Sequence, residues 1–140
     1  MRGKKSRKRA SRATGFESEV SDAVKDLFYI SETDSEIFPF TGKEAESVSA
    51  EELLGQIGSR GPVEERDFEE FFDRLTKLQE WFGDEETRAA NRFAELREIL
   101  KKHLADLKVF KVGRIEVDIF IVGLDENGIL RGVRTKAVET

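Results

Sequence analysis

The sequence contains no cysteine, one histidine and two prolines among its 140 residues. The absence of cysteine excludes disulfides, thiolate metal sites and cysteine nucleophiles. No apolar run approaches the roughly 20 residues that span a bilayer. No apolar stretch follows the basic N-terminus either, so neither a membrane helix nor a secretory signal is predicted. We expect an intracellular, cytoplasmic location, with which the lack of cysteine is consistent.

Groups that carry catalysis are also scarce. His103 is the sole histidine, and it falls in the last turns of a predicted helix, where a cation is mildly favoured, so we expect a structural role. Neighbouring carboxylates occur mostly at helix starts and on solvated helix faces. The spacing of a calcium-binding loop is missing. The sequence therefore predicts no enzyme, and neither a cofactor nor a metal site of its own.

Charge is unevenly distributed along the chain. Residues 1–14 hold seven of the 24 basic residues and no acidic one, so the other 17 basic residues face all 29 acidic residues, a balance of −12. Such an acidic body repels nucleic acid and attracts basic protein surfaces. The composition divides the chain into a disordered basic tail at 1–16 and one domain at 17–140, since 140 residues suit a single ordinary domain.

The basic tail has three interpretations that the sequence does not separate. Lys4, Lys5, Arg7, Lys8 and Arg9 form a short basic run. Such a run is typical of a nuclear-type localisation signal or of an arm that binds nucleic acid without specificity. A solvated extension without a function fits the run equally well.

Helices dominate the first three quarters of the sequence. Apolar residues at helical spacing predict a first helix that begins near Ser18 and ends before Ser31. Polar residues 31–36 predict a turn, and the aromatic pair around Pro39 predicts an extended segment. Ser49 has capping-box spacing to Glu52, which favours a short helix that starts there. Two further helices are predicted to be capped by Asp67 and by Asp84, and the second carries an apolar stripe as far as Leu104.

Strands dominate the last quarter. Residues 109–112 form a short candidate strand, and Ile115, Val117, Ile119 and Ile121 alternate as one buried strand face. Residues 125–128 contain the Asn-Gly signal of a hairpin, after which 129–138 return as the last strand. Helices followed by a local hairpin predict an α+β domain, with helices packed on an antiparallel sheet.

Trp81 is the only tryptophan, between two predicted helices. It suits a ring packed into the helix junction, and it suits an exposed interface anchor equally well, since tryptophan is favoured at binding hot spots. The sequence alone leaves both interpretations open.

Several segments resemble the nuclease A inhibitor family. They include FFDR at 71–74, QEWF at 79–82, DEE at 84–86, RFAEL at 92–96, and most of 112–123 and 132–140. Residues 27–32 and 39–40 match more loosely, the 41–66 region diverges, and the basic tail has no counterpart. The resemblance covers about 17–140 through the order, the spacing and the shared end of these segments.

This resemblance implies a three-layer α/β/α sandwich with a mainly antiparallel sheet and helices on both faces. It also implies one-to-one inhibition of a DNA/RNA non-specific endonuclease that uses a divalent metal. Glu32 then matches a glutamate directed at the nuclease active site, and Trp81 matches an interface tryptophan. Glu80 stands where the family is expected to have an aspartate and reaches one methylene further. Thr140 matches a terminal threonine whose carboxylate reaches the metal of the nuclease.

Overall fold

A computed structural model describes residues 15–139 of the chain. Over these residues the chain forms four helices and seven strands. The helices are α1 (15–24), α2 (Ala50–Ile57), α3 (Phe68–Thr76) and α4 (Asp84–His103). The strands are β1 (Phe28–Ile30), β2 (Asp34–Glu36), β3 (Phe38–Glu44), β4 (Val63–Arg66), β5 (Ala105–Val112), β6 (Glu116–Leu124) and β7 (Ile129–Val138). None of the helices within 15–139 is both long and apolar enough to cross a membrane.

Five strands form one antiparallel sheet in the order β3-β7-β6-β5-β4. Strands β1 and β2 form a separate antiparallel hairpin. The Asn-Gly turn is confirmed: Asp125 accepts the backbone N–H groups of Asn127 and Ile129, which closes the β6–β7 hairpin. These results confirm the α+β class and the mainly antiparallel sheet.

Apolar side chains are buried on both faces of the sheet. Side chains alternate between the faces of a strand, and in β6 the alternation assigns Val117, Ile119 and Ile121 to one core cluster and Phe120 and Val122 to the other. The first cluster also contains residues of α1, α3 and α4, and the second contains Leu53 of α2. Helices on both faces are what a three-layer sandwich requires, and that layering itself stays a prediction.

The first helix is shorter at its C-terminal end than the periodicity predicts. It ends at residue 24, Asp26 adopts a positive φ of 57°, and Phe28 begins strand β1. Leu27 is buried as expected, whereas Phe28 is 39% exposed. The predicted continuation of the helix through Phe28 was wrong, because a left-handed residue, which aspartate tolerates, redirects the chain.

The same helix begins earlier than the sequence suggests. Residues 15 and 16 are helical, and Phe16 is buried in the first core cluster, where its ring lies edge-on to His103 at 5.0 Å. His103 also hydrogen-bonds Glu19 of α1, as a structural histidine would. The predicted tail at 1–16 falls, apart from these two residues, outside the described part of the chain.

Two of the three helix caps predicted from the sequence are confirmed. Ser49 and Asp67 accept the backbone N–H groups of Glu52 and Glu70. The cap predicted at Asp84 was wrong: Gly83 is the cap residue, and its N–H donates to Glu86. Strands β2 and β4 were missed, because they are short and their exposed residues are mostly polar or charged.

Candidate protein-binding site

The β1–β2 hairpin is fastened to the last strand of the sheet at two points. The Thr135 hydroxyl donates to the backbone carbonyl of Glu36 at 2.8 Å, and Thr135 is buried. The backbone N–H of Val138 donates to the hydroxyl of Ser31 at 3.0 Å. These contacts set the tip of the hairpin beside the end of β7.

Glu32 is the central residue of that tip, the turn at residues 31–33. The Ser31 N–H donates to the carbonyl of Thr33 at 2.9 Å, and the Ser31 hydroxyl contacts both the carbonyl and the N–H of Thr33. The turn is therefore closed by its own hydrogen bonds, and Glu32 is exposed between the two residues that close it. A turn closed in this way presents its central carboxylate at little entropic cost.

The last described residues are held from two further sides. The Glu139 N–H donates to the carbonyl of Ile115 at 2.9 Å, and the Lys111 ammonium group contacts the Glu139 carboxylate at 2.8 Å. Thr140, the predicted terminal contact, lies outside the described residues. The structure thus brings Glu32 next to residues 138–139, which lead directly into Thr140.

Tyr29 connects this surface with helix α3. Its ring stacks on Phe71 with the centroids 5.8 Å apart and the planes nearly parallel, at 5°. Burial raises the pKa of the Tyr29 phenol, and Lys111, Glu139 and Arg74 act on it electrostatically. Tyr29, which pairs with Ser35 in the hairpin, is therefore packed on α3, which precedes the loop at 77–83.

Glu80 and Trp81 lie in that loop. Both occupy a turn in which the Phe82 N–H donates to the carbonyl of Gln79 at 3.1 Å. Trp81 is 74% exposed, and its ring meets Phe82 edge-on at 4.6 Å. Such exposure rules out a tryptophan buried in the helix junction and favours the interface interpretation. The common surface of Glu80, Trp81, Glu32 and Thr140 stays a prediction.

Three neighbours of this surface were not singled out from the sequence. Ile30 and Ile115 are 71% and 60% exposed, and Ser31 carries the hydrogen bond to Val138. The prediction that Ile115 belongs to the buried strand face was wrong, because it lies in the turn between β5 and β6 and not in β6 itself. No local pattern marks Ser31, because its partner lies 107 residues away.

A cavity among the described residues lies away from this surface. It has a volume of about 930 Å³, between the start of α1, the end of α4 and the β6–β7 turn. Arg131 is buried in its wall, 3.0 Å from Glu17 and 3.6 Å from Asp125, with its guanidinium carbon 4.8 Å from the centre of the Phe16 ring. Its role there is to fix α1 on the sheet.

Within residues 15–139, no cluster of three or more histidine or carboxylate side chains is arranged to hold a metal ion. The candidate site therefore consists of single carboxylates and exposed aromatic and apolar side chains. That combination on a small acidic α+β domain is typical of a surface that binds another protein.

The family follows from comparison with known proteins. A family model described as NuiA, nuclease A inhibitor-like protein, matches residues 14–140. The chain therefore belongs to the nuclease A inhibitor-like family. Membership suggests a nuclease inhibitor that is not itself an enzyme, with a nuclease as partner. No curated protein matches the sequence.

Proposed function

We propose that this protein inhibits a metal-dependent endonuclease that cleaves DNA and RNA without specificity. The observation that carries the proposal is the hydrogen bond from Val138 to Ser31, which sets the Glu32 turn beside the strand leading to Thr140. Glu32 thereby lies beside residue 138, and Thr140 follows two residues later in the sequence. Family membership supports the nuclease as the class of partner.

The mechanism is mimicry of the nucleic-acid backbone. Such a nuclease holds phosphate oxygens with basic groups and with a hard divalent cation, which prefers oxygen ligands. The carboxylates of Glu32 and of the Thr140 terminus take the places of these oxygens, and the terminal one binds the metal of the nuclease. The inhibitor blocks the active site in a one-to-one complex and needs neither a cofactor nor a catalytic group of its own.

The loop at 77–83 supplies a second contact region. Trp81 serves as the anchor, because an exposed indole brings a large contact area that is removed from water only on binding. Glu80 adds a negative charge next to it. Because the body has a formal balance of −12, it is attracted over a distance to a basic cleft, which raises the rate of association.

The test is inhibition of the DNA/RNA non-specific nuclease of the same organism, with its metal present. Four proteins are compared: the unchanged chain, a chain extended by three glycines past Thr140, Glu32→Gln, and the control Glu36→Gln in the same hairpin. We expect the extension and Glu32→Gln each to weaken inhibition by roughly thirtyfold, because a buried charge loses its partner. Glu36→Gln should change it little, and size-exclusion chromatography should give a one-to-one complex.

Each result bears on a different part of the proposal. Equal inhibition by the extended and unchanged chains would exclude the terminal carboxylate and leave Glu32, Glu80 and Trp81. Equal inhibition by Glu32→Gln would exclude the turn. Absence of any inhibition of the cognate nuclease would reject the proposed function.

The seven basic residues within 1–14 favour one second candidate, a nucleic-acid-associated or regulatory role of the tail. Clustered lysines and arginines bind phosphates with a strong dependence on salt. This candidate expects salt-sensitive binding to DNA that disappears when residues 1–14 are deleted. Inhibition of the nuclease by the deleted protein would show that the two roles are separate.

A further inference from the structure

Two exposed isoleucines lie at the predicted contact surface. Ile30 is 71% exposed and Ile115 is 60% exposed. A single exposed apolar side chain is common on any protein surface, so exposure alone has little meaning here. What distinguishes this pair is its position relative to Glu32 and to the last residues of β7.

Hydrogen bonds from backbone N–H groups fix the positions of Ile30 and Ile115 relative to the end of β7. Val138 donates its N–H to Ser31, the neighbour of Ile30, and Glu139 donates its N–H to the carbonyl of Ile115 itself. Successive N–H groups of an extended strand point to opposite sides. Ile115 and the Ile30–Ser31 pair therefore lie on opposite sides of the chain segment that leads to Thr140.

The resulting arrangement has an acidic centre and apolar flanks. Glu32 follows Ile30 and Ser31 directly, and Glu139 lies between the Ser31 side and the Ile115 side. Binding energy concentrates where charged or aromatic contacts are surrounded by residues that exclude water. Exclusion of water strengthens an ionic contact, because the local dielectric constant falls.

We propose that Ile30 and Ile115 form the apolar flanks of the nuclease-contact surface and seal water away from the carboxylates between them. This inference rests on the proposed function. The inference specifies the surface of the partner further, as a basic, metal-bearing cleft with apolar side chains along its two edges. Ile30 and Ile115 contact the apolar side chains at these edges of the cleft, and they do not bind the metal.

The test compares Ile30→Ser and Ile115→Ser with Phe38→Ser, each in the full chain. Phe38 is the matched control, since it is 48% exposed and lies on β3 opposite Arg134, away from residues 138–139. Dissociation constants for the cognate nuclease are measured by titration calorimetry at about 50 and 300 mM salt, where exposed charges are screened differently. Thermal unfolding of each free variant verifies the fold.

We expect each isoleucine variant to bind about tenfold more weakly, since each loses part of a buried apolar side chain. The loss should be larger at about 300 mM than at about 50 mM salt, because carboxylates that are no longer sealed from water are screened more strongly. The loss caused by Glu32→Gln should instead shrink at high salt. Unchanged affinity of both variants, or an equal loss for Phe38→Ser, would overturn the inference and leave the inhibitor function intact. If the unchanged chain does not bind the nuclease, the proposed function fails first and this inference fails with it.

Discussion

The hydroxyl of Ser31 accepts the backbone N–H of Val138 at 3.0 Å, across a separation of 107 residues. This contact joins the tip of an N-terminal hairpin to the last strand of the sheet. The contact holds the Glu32 turn beside Val138, the last residue of β7.

Ser31→Ala removes this acceptor and leaves the Val138 N–H to water. We expect a loss of about 1 kcal/mol in the free energy of unfolding, the usual contribution of one hydrogen bond. Hydrogen exchange should accelerate at the Val138 amide more than at amides in the centre of β7, such as that of Val133. Inhibition of the nuclease should weaken, because the turn and the end of β7 no longer hold one spacing.

The matched control is Ser35→Ala in the same hairpin. The Ser35 hydroxyl lies 3.4 Å from that of exposed Thr33 and so does not tie the hairpin to β7. Unaltered Val138 exchange in Ser31→Ala, or the same acceleration in Ser35→Ala, would contradict the role given to Ser31. Ser31→Thr keeps the hydroxyl and should restore most of the protection.

Acid stability should depend on the ion pairs between α3 and α4. Arg97 donates to Glu69 and lies 3.1 Å from Asp73, and Lys101 contacts Glu69 at 3.1 Å. The hydrogen bond from Arg97 holds the pKa of the Glu69 carboxyl below its ordinary value near 4.5, and Lys101 adds to the effect. A carboxyl whose pKa is lower in the folded chain stabilises the fold above the unfolded pKa and loses this contribution as pH falls through the folded pKa.

Glu69→Gln should therefore be less stable than the unchanged chain at neutral pH. The difference in unfolding free energy between Glu69→Gln and the unchanged chain should narrow as pH falls from about 5 toward 3, since protonation of Glu69 removes the same charge. Urea unfolding at a series of pH values measures it, with Glu70→Gln as the control for a charge removed one residue along the helix. A constant difference over this range would rule out Glu69 as a source of the acid sensitivity.

The fold was predictable where the signal is local. The alternation from Val117 to Ile121 and the Asn-Gly turn gave β6, β7 and their pairing, and Ser49 and Asp67 gave two helix starts. The alternation was wrong at Ile115, which precedes β6 and is exposed. The failures have non-local causes. Leu27 and Phe28 continue a helical pattern that the positive φ of Asp26 interrupts, and β4 is a strand because it pairs with β5 at the edge of the sheet.

The candidate site was predictable only in part for the same reason. Glu32, Glu80, Trp81 and Thr140 came from resemblance, since no rule of spacing relates them. The hydrogen bond from Val138 to Ser31 depends on the folded chain and has no counterpart in the sequence pattern. Exposure of Ile30 could not be inferred either, because it depends on Tyr29 facing α3 from the opposite side of β1.

Substitution by alanine should destabilise the protein at Gly132 and stabilise it at Gly55. A methyl group on Gly132 would lie 1.9 Å from the carbonyl oxygen of Ile121 in the neighbouring strand, whereas one on Gly55 would meet nothing within 4 Å. Gly132→Ala should cost about 3 kcal/mol or more, because backbone must move. Gly55→Ala should stabilise the protein by about 0.5–1 kcal/mol, since Gly55 lies inside α2.

Urea unfolding with a circular dichroism signal measures both variants, and each serves as the control for the other. A destabilised Gly55→Ala would mean that α2 needs the glycine for a reason other than space. A Gly132→Ala variant of ordinary stability would contradict the close approach of β6 and β7 at this point.

The Trp81 side chain should contribute to nuclease binding and contribute little to the stability of the fold. Its indole is 74% exposed and meets only the neighbouring Phe82 among the ring contacts within 15–139. Trp81→Ala should therefore change the free energy of unfolding by no more than about 0.5 kcal/mol. It should weaken nuclease binding by about 2 kcal/mol, roughly thirtyfold, because an exposed tryptophan at an interface is buried on association.

Leu78→Ala, in the same loop and 57% exposed, is the control. Loss of stability in Trp81→Ala would assign the ring to packing, and unaltered binding would remove the 77–83 loop from the interface.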